Sequence, residues 1–538
     1  MEQVCALARL AGAALSGKPV DAPSAIDPAL AEAHQIAPLL NIALGAAQPE
    51  LAALFDQNVR RQAESRSILL DIAALSATHG FAWLVVGGQP QAAQLYPDCA
   101  WRASGEPDIL IGTGEADALV GILRNAGWSP ASASSEDRST MLVDAAGRRV
   151  RQHERLLFTP GPIGALLVAD GAYRPRRSRD PEDIPAPPVG AAMALDILLR
   201  GHAWRWSRLK YLFDLSAVLG RLDEQDQARL IDMIGEARIE PLAIASLLTC
   251  RTMLGDGLPA MIGRWLDSRE ITPEIATRRT LYRDALDRTA PPPATLPPTQ
   301  AGRVAKLGRA VTRFVHALTP RLMGGARQPG QYQRAPDTMA DRYPLAFRFA
   351  QDHLGDGAAI RILSFGCSTG EEVFTLRRYF PQAVIRGIEI DPTRVRICRN
   401  RLRETGDTAI SFACAADATG EPPESHDAIF CMAVFRDPAL DAPETRSTMG
   451  HITFDDFERG MADLVRCLKP GGLLFVEHSN FRVSDTGSAP ALEPVLHADP
   501  PRSAKIPGLY GRDGRRIKGA ADPALGYRKR ASSQGHDA

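Results

Sequence analysis

At 538 residues the chain is several times the usual domain size, so it divides into two or more domains. Hydrophobic residues make up 45% and charged residues 23%, an ordinary globular balance that excludes an intrinsically disordered chain. Lys plus Arg (63) and Asp plus Glu (63) cancel, so no whole-chain field draws in polyanions, and a general nucleic-acid binder is excluded.

No uninterrupted run of about 18 apolar residues occurs, and MEQVCALARLAGAALSG lacks a basic region ahead of its apolar stretch. The expectation is a cytoplasmic protein without a signal peptide or transmembrane segment. Eight cysteines are scattered without CxxC pairs or metal spacing, which fits a reducing compartment and buried thiols acting as small hydrophobes.

Taken in chain order, residues 1–75 read as helical, with HQIAPLLNIAL and LAALFDQNVRRQAESRSILLDIAAL as the clearest patterns. FAWLVVGG reads as a strand into a glycine turn, EPDILIG as a second strand carrying Asp108, and EADALVGILRNAGW as a helix. Residues 188–287 are again mostly helical. This order gives a first region, 1–287, with a small α/β unit at about 80–160.

These segments, with LYPDCAWRASGEPDILI and HAWRWSRLKYLFDL, resemble the broad nucleotidyltransferase-like family over roughly residues 30–255. The resemblance implies an α+β domain with many helices and a Gly-Asp-x-Asp pair of metal-binding carboxylates. Here the segment is Gly105-Glu106-Pro107-Asp108, the usual Lys-Gly is Gly87-Gly88, and Arg151 stands where a third acid is expected. Two-metal chemistry needs carboxylates at set distances. The reading is therefore a degenerate, non-catalytic domain with no metal, Glu106 and Asp108 being vestigial. Trp204, Arg205, Trp206, Arg208, Lys210 and Tyr211 either line a ligand pocket or simply pack a helix.

TAPPPATLPPTQ, residues 289–300, has five prolines in twelve residues and marks a linker. From Ala301 to Pro336 there are seven Lys/Arg and no acid, with apolar residues at helical spacing. Residues 288–335 thus read as a Pro-rich linker and a basic amphipathic segment, offering weak surface contact through 301–325 or docking on the protein itself.

IRILSFGCSTG turns from an apolar strand into the helical EEVFTLRRYF, a glycine turn that lets backbone approach a ligand. PQAVIRGIEIDP is a second strand whose Glu389 stands nineteen residues beyond Gly370, placed to accept hydrogen bonds from ribose hydroxyls. AISFACAAD ends at Asp417, facing an adenine edge. HDAIFCMAVF is a fourth strand, FDDFERGMADLVRCL a helix capped by Thr453, and LLFVEHSNF a fifth strand after LKPGG. Five strands alternating with helices or loops predict an α/β doubly wound sheet.

Residues 341–485 resemble a class I S-adenosylmethionine-dependent methyltransferase, and GCSTGEE is similar to the donor loop of chemotaxis-receptor glutamate methyltransferases. The resemblance implies a Rossmann-like fold over 336–485 and S-adenosyl-L-methionine as cofactor. It places the donor on Gly366, Cys367, Ser368, Gly370, Glu389, Ile390, Asp417, Ala418 and Cys431. A nicotinamide domain is disfavoured: GxGxxG is missing, and Glu371 and Glu372 at the helix start would repel a pyrophosphate. Glu372 is read as a helix-dipole residue. Acceptor-side candidates are Arg334, Arg342, Tyr343, Arg436, His451, His478 and Asn480, with His478, His451 and Tyr343 the candidate catalytic groups. Beyond 485 the chain reads as a basic, partly disordered tail, frayed after Gly526.

The expected function is methyl transfer to a small-molecule or peptide acceptor, preferably a carboxylate or other oxygen, with the first region recruiting the acceptor. The alternatives are a bifunctional enzyme with an active, metal-dependent nucleotidyltransferase, and a non-catalytic ligand-binding scaffold. Nothing in the sequence assigns an oligomeric state.

Overall fold

A computed structural model describes residues 2–16, 26–45, 47–112, 114–134, 139–154, 156, 162–255, 257–288, 341–442, 444–499, 508–517 and 524–531. The Pro-rich stretch, the basic segment 301–336 and Arg334 lie outside the described residues. Two compact units result, one formed by described residues up to 288 and the other by those from 341 onward.

The first unit holds a mixed five-stranded sheet in the order β1-β2-β5-β4-β3. Its strands are β1 (Trp83–Val85), β2 (Asp108–Ile111), β3 (Ser129–Ser134), β4 (Ser139–Val143) and β5 (Arg149–His153). Strand periodicity splits its side chains between two cores. Trp83, Val85, Ile109 and Ile111 pack with Ile68 and Ile72 of the long helix Pro49–His79 and with Leu119 and Leu123 of Ala116–Asn125. Leu84, Val86 and Leu110 face the larger core, shared with helices Ala191–Ala203, Leu209–Leu219 and Glu240–Leu254. That core is cross-linked by a buried ion pair. Arg102 Nε donates to Asp214 Oδ1 at 2.8 Å and its Nη2 to Oδ2 at 2.8 Å, while the Tyr96 hydroxyl also donates to Oδ1 at 2.8 Å.

The second unit is a seven-stranded sheet, ordered β11-β12-β10-β9-β6-β7-β8. Five strands are parallel: β6 (Arg361–Phe365), β7 (Val384–Glu389), β8 (Ile410–Cys414), β9 (His426–Met432) and β10 (Leu468–Glu477). β11 (Leu492–His497) and β12 (Ala524–Lys529) extend it, β12 pairing antiparallel with both β10 and β11. Both faces are covered, as a parallel sheet requires. On one, Phe430 of β9 stacks on Phe475 of β10 at 4.7 Å between centroids, and Phe347 and Phe349 of helix Pro344–Leu354 pack over them. On the other, Ile429, Cys431, Leu474 and Val476 meet Phe457, Met461 and Leu464 of helix Phe454–Cys467.

The region beyond 485 differs from the expected tail. β12 lies inside the sheet, with Leu525 and Tyr527 buried, so the strand runs on past Gly526 through Lys529 rather than fraying there. Gly526 and the adjacent charges Arg528 and Lys529 hide this strand in the sequence; Lys529 reaches the carbonyls of Val465 and Leu468 at 3.0 and 2.7 Å. Residues 508–517 pack beside the loop after β9, where Tyr510 donates its hydroxyl to the Leu440 carbonyl at 2.8 Å.

Candidate functional sites

The carboxyl ends of β6 and β7 build the principal site. β6 runs into Gly366, whose φ of 75° belongs to the left-handed region, and a Cβ there would lie 2.5 Å from Val434 Cγ2. Only glycine lets the loop and the segment after β9 approach so closely. Gly370, at φ 90°, opens helix Glu371–Tyr379; a Cβ on it would stand 3.1 Å from Phe374 and 3.2 Å from Cys398 Sγ. Between them Ser368 adopts φ 50°, and its buried hydroxyl has no partner in the protein.

Glu389 ends β7 and is buried. Its Oε2 accepts the Ser368 backbone N–H at 2.9 Å and its Oε1 that of Asp391 at 3.0 Å, which fixes the carboxylate beside the loop. Each oxygen retains a further acceptor position. Asp391 caps helix Pro392–Thr405 through Thr393 N–H. Ile390 offers its carbonyl to Cys414 Sγ at 3.6 Å. Cys367 and Cys431 are buried, and burial keeps the Cys431 thiol well above its ordinary range. Ala418 is buried and lends its carbonyl to Arg466. Asp417, after β8, is exposed, and its Oδ1 accepts the Thr419 backbone N–H at 3.0 Å. An orphaned buried hydroxyl, an anchored carboxylate with unused lone pairs and a loop that tolerates no side chain at Gly366 together fit a nucleoside ligand.

Beside this cradle lies a cluster of titratable groups. Glu372 accepts the Ser364 hydroxyl at 2.7 Å, and burial raises its carboxyl to about 7 against the pull of Arg342. The expectation of a simple helix-dipole residue misses this burial. Glu477, at the end of β10, is also raised to about 7, by burial and Asp499. His478 follows at φ 54°, held down to about 4 by burial, Arg342 and Arg436. Tyr343 lies tilted beside the His478 ring, 6.1 Å between centroids; its buried hydroxyl has no partner, and burial keeps it protonated. The Arg342 guanidinium sits 5.2 Å over the Tyr343 ring. Nothing in VEHSN marks Glu477, because a carboxyl at a strand end reads as solvated until packing buries it.

Other acceptor-side candidates are engaged elsewhere. Asn480 is fully buried; its Oδ1 accepts the Asp437 N–H at 2.6 Å and its amide donates to the Gly508 carbonyl at 2.8 Å, so it staples two loops rather than facing a ligand. Arg436 pairs with Asp441 at 2.5 Å. His451 Nδ1 lies 2.9 Å from Asp437 Oδ2. Thr453 and Asp456 form the expected capping box.

In the first unit, Asp108 opens β2 directly opposite Arg151 on β5. His153 Nε2 lies 2.9 Å from Asp108 Oδ1, and Arg151 reaches Glu106 at 3.1 Å and Asp108 at 3.9 Å. Among the described residues no three His, Cys, Asp or Glu side chains group to hold a metal. These residues do not fit a pair of divalent ions. Trp206 is core, with its indole N–H on Ser246 Oγ at 2.9 Å, whereas Trp204 is half exposed.

Two families match the chain. One, described as an uncharacterised nucleotidyltransferase, matches residues 25–255; the other, described as a methyltransferase domain, matches residues 362–472. The chain joins a nucleotidyltransferase-like domain to a methyltransferase domain. No curated protein matches it. Similar solved structures include the YcgJ protein of Bacillus subtilis, 17% identical with a TM-score of 0.20 over 26% of this chain and 51% of that one. Geranyl diphosphate C-methyltransferase of Streptomyces coelicolor, solved with S-adenosyl-L-homocysteine, is 20% identical with a TM-score of 0.19 over 25% and 44%. Haemonchus contortus phosphoethanolamine N-methyltransferase 2 is 20% identical with a TM-score of 0.18 over 23% and 26%. The chain therefore spans between 26% and 51% of the length of these structures. No described helix is long and apolar enough to cross a membrane.

Proposed function

We propose that the methyltransferase domain transfers a methyl group from S-adenosyl-L-methionine to an oxygen, such as a carboxylate, on a small-molecule or peptide acceptor. The nucleotidyltransferase-like domain is a non-catalytic module that recruits the acceptor. The observation that carries the donor assignment is Glu389, a buried carboxylate fastened to Ser368 and Asp391 N–H with acceptor capacity left for two vicinal hydroxyls. The arrangement of Glu106 with Arg151 and of Asp108 with His153 supports the non-catalytic reading of the other domain.

Bound here, the donor supplies an electrophilic methyl on a sulfonium. Ser368 and the Gly366–Gly370 backbone shape the floor on which it lies. An α-amino acid end needs one anion and one cation, and Glu372 and Arg342 are the adjacent pair available. Tyr343, Glu477 and His478, grouped beside them, face the acceptor. Neutral His478 and the Tyr343 hydroxyl orient the acceptor oxygen for in-line attack, and an oxygen already ionised needs no proton removed. Where the acceptor carries a proton, the Glu477 carboxyl, near neutrality, takes it.

Titration calorimetry of the whole chain with S-adenosylhomocysteine tests the donor site. Glu389→Ala is expected to weaken binding about 30-fold or more, near 2 kcal/mol for hydrogen bonds to a charged acceptor. Unchanged affinity overturns the assignment. Labelled donor incubated with peptide and metabolite panels then identifies the acceptor by mass shift.

A further inference from the structure

The nucleotidyltransferase-like domain holds a recess that methyl transfer leaves unused. Gln94 of the helix Gly88–Leu95 and Asp196 of the helix Ala191–Ala203 both line it, together with Tyr173 and the apolar Val85, Pro187 and Met193. Its volume is about 240 Å³, mouth included, and the enclosed end has room for about one water-sized group. The recess therefore takes the tip of a ligand, whose remainder leaves through the mouth.

Two polar atoms in this recess point to what that tip is. Asp196 is only 2% exposed; its Oδ2 accepts the Tyr173 hydroxyl at 2.8 Å and pairs with Arg200 Nη2 at 2.8 Å, whereas its Oδ1 is buried with no partner in the protein. The Gln94 amide oxygen is likewise buried and unpartnered. Two acceptors thus stand idle in one recess, which is costly unless something donates to them. The Arg200 guanidinium already balances the Asp196 charge, so a second cation is surplus, and an anion meets two bare oxygens. A neutral NH2 group brings two N–H donors and no charge. A water molecule donates as well but turns its own lone pairs toward Val85, Pro187 and Met193, whereas a carbon stem gains by lying on them.

We infer that this recess binds an uncharged ligand presenting a primary carboxamide, whose NH2 group donates to Asp196 Oδ1 and Gln94 Oε1 while its carbon stem lies on Val85, Pro187 and Met193.

Ligand-observed NMR titrations of the whole chain with butyramide, butylammonium and butyrate test this, since the three share one stem and differ only in the polar end. Butyramide is expected to bind with a dissociation constant of roughly 1–10 mM, as suits so small a probe, and the two ions about fivefold more weakly or worse. Gln94→Leu should lower butyramide affinity about fivefold or more. Ala186→Phe, at a half-buried lining residue, should fill the recess and abolish binding. Gln94→Glu adds a carboxylate that Arg200 does not balance, so butylammonium should become the tightest of the three. Tryptophan fluorescence and the urea midpoint, unchanged, certify that each variant is folded. Equal binding of the three probes, tighter binding of either ion by the parent chain, or full butyramide affinity in folded Gln94→Leu and Ala186→Phe overturns the site. No butyramide binding at about 50 mM leaves a bound water only and overturns it too. S-adenosylhomocysteine affinity, measured on the same variants, stays at the parent value, which separates this test from that of the methyl-donor site.

Discussion

Gly366→Ala offers a quantitative test of the donor loop. The substitution forces a side chain onto a residue at φ 75° and places its Cβ 2.5 Å from Val434 Cγ2. The left-handed backbone costs roughly 1–2 kcal/mol and the overlap roughly 1–3 kcal/mol, so the expected loss is roughly 2–5 kcal/mol. All six tryptophans lie between Trp83 and Trp265, so intrinsic tryptophan fluorescence reports only the nucleotidyltransferase-like domain. Hydrogen exchange read by mass spectrometry over peptides from 361–389 measures the correct domain. Val434→Ala should recover the steric part in the double variant but leave the backbone part, giving a coupling of roughly 1–3 kcal/mol. S-adenosylhomocysteine binding should fall in Gly366→Ala and recover partially in the pair. A loss below about 1 kcal/mol with full ligand affinity would refute the reasoning, because neither strain nor overlap would then be real.

Asp214→Asn removes the charge opposite Arg102 while both side chains stay buried, at 3% and 8% exposure, so urea unfolding followed by tryptophan fluorescence should show a loss of about 3–5 kcal/mol. His34 is fully buried with both ring nitrogens unpartnered, and burial and Arg208 lower it to about 4. Its folded value lies below the unfolded one, so its contribution is complete above pH 6.5 and is lost as pH falls toward 4, by up to about 1.4 kcal/mol per unit. His34→Leu should flatten that slope between pH 6.5 and 5. Glu372, raised to about 7, must ionise to hold an ammonium, so S-adenosylhomocysteine binding at pH 6.5 should release protons in calorimetry across buffers of different ionisation heat. Glu372→Gln should abolish that release; the same release from the variant would place the titration elsewhere.

The donor side was legible because its chemistry is written in backbone geometry. A strand, two glycines at fixed separation and an acid at the next strand's end leave a linear signature, and Gly366, Ser368, Gly370 and Glu389 do converge at one place. The capping box at Thr453 was legible for the same local reason. β11 and β12 were not, since short strands crossed by Pro494, Glu493, Arg528 and Lys529 carry little apolar periodicity and are held by pairing, β12 with β10 and β11 with β12. Asn480 looked like an acceptor-side amide because nothing in VEHSN reveals that residue 508 returns to accept its hydrogen bond. Glu372 and Glu477 were hidden by the converse effect: a carboxyl beside a helix start or strand end reads as solvated until tertiary packing buries it.

The two domains differ in how much of their chemistry one substitution can redirect. A cradle built from main-chain N–H groups and glycine conformations survives most side-chain changes, since its contacts belong to the backbone. A two-metal centre depends on several carboxylates held against mutual repulsion by the ions they bind. Register places Arg151 directly opposite Asp108, and its guanidinium lies 3.1 Å from Glu106 and 3.9 Å from Asp108. That arrangement removes the repulsion that would draw in a metal.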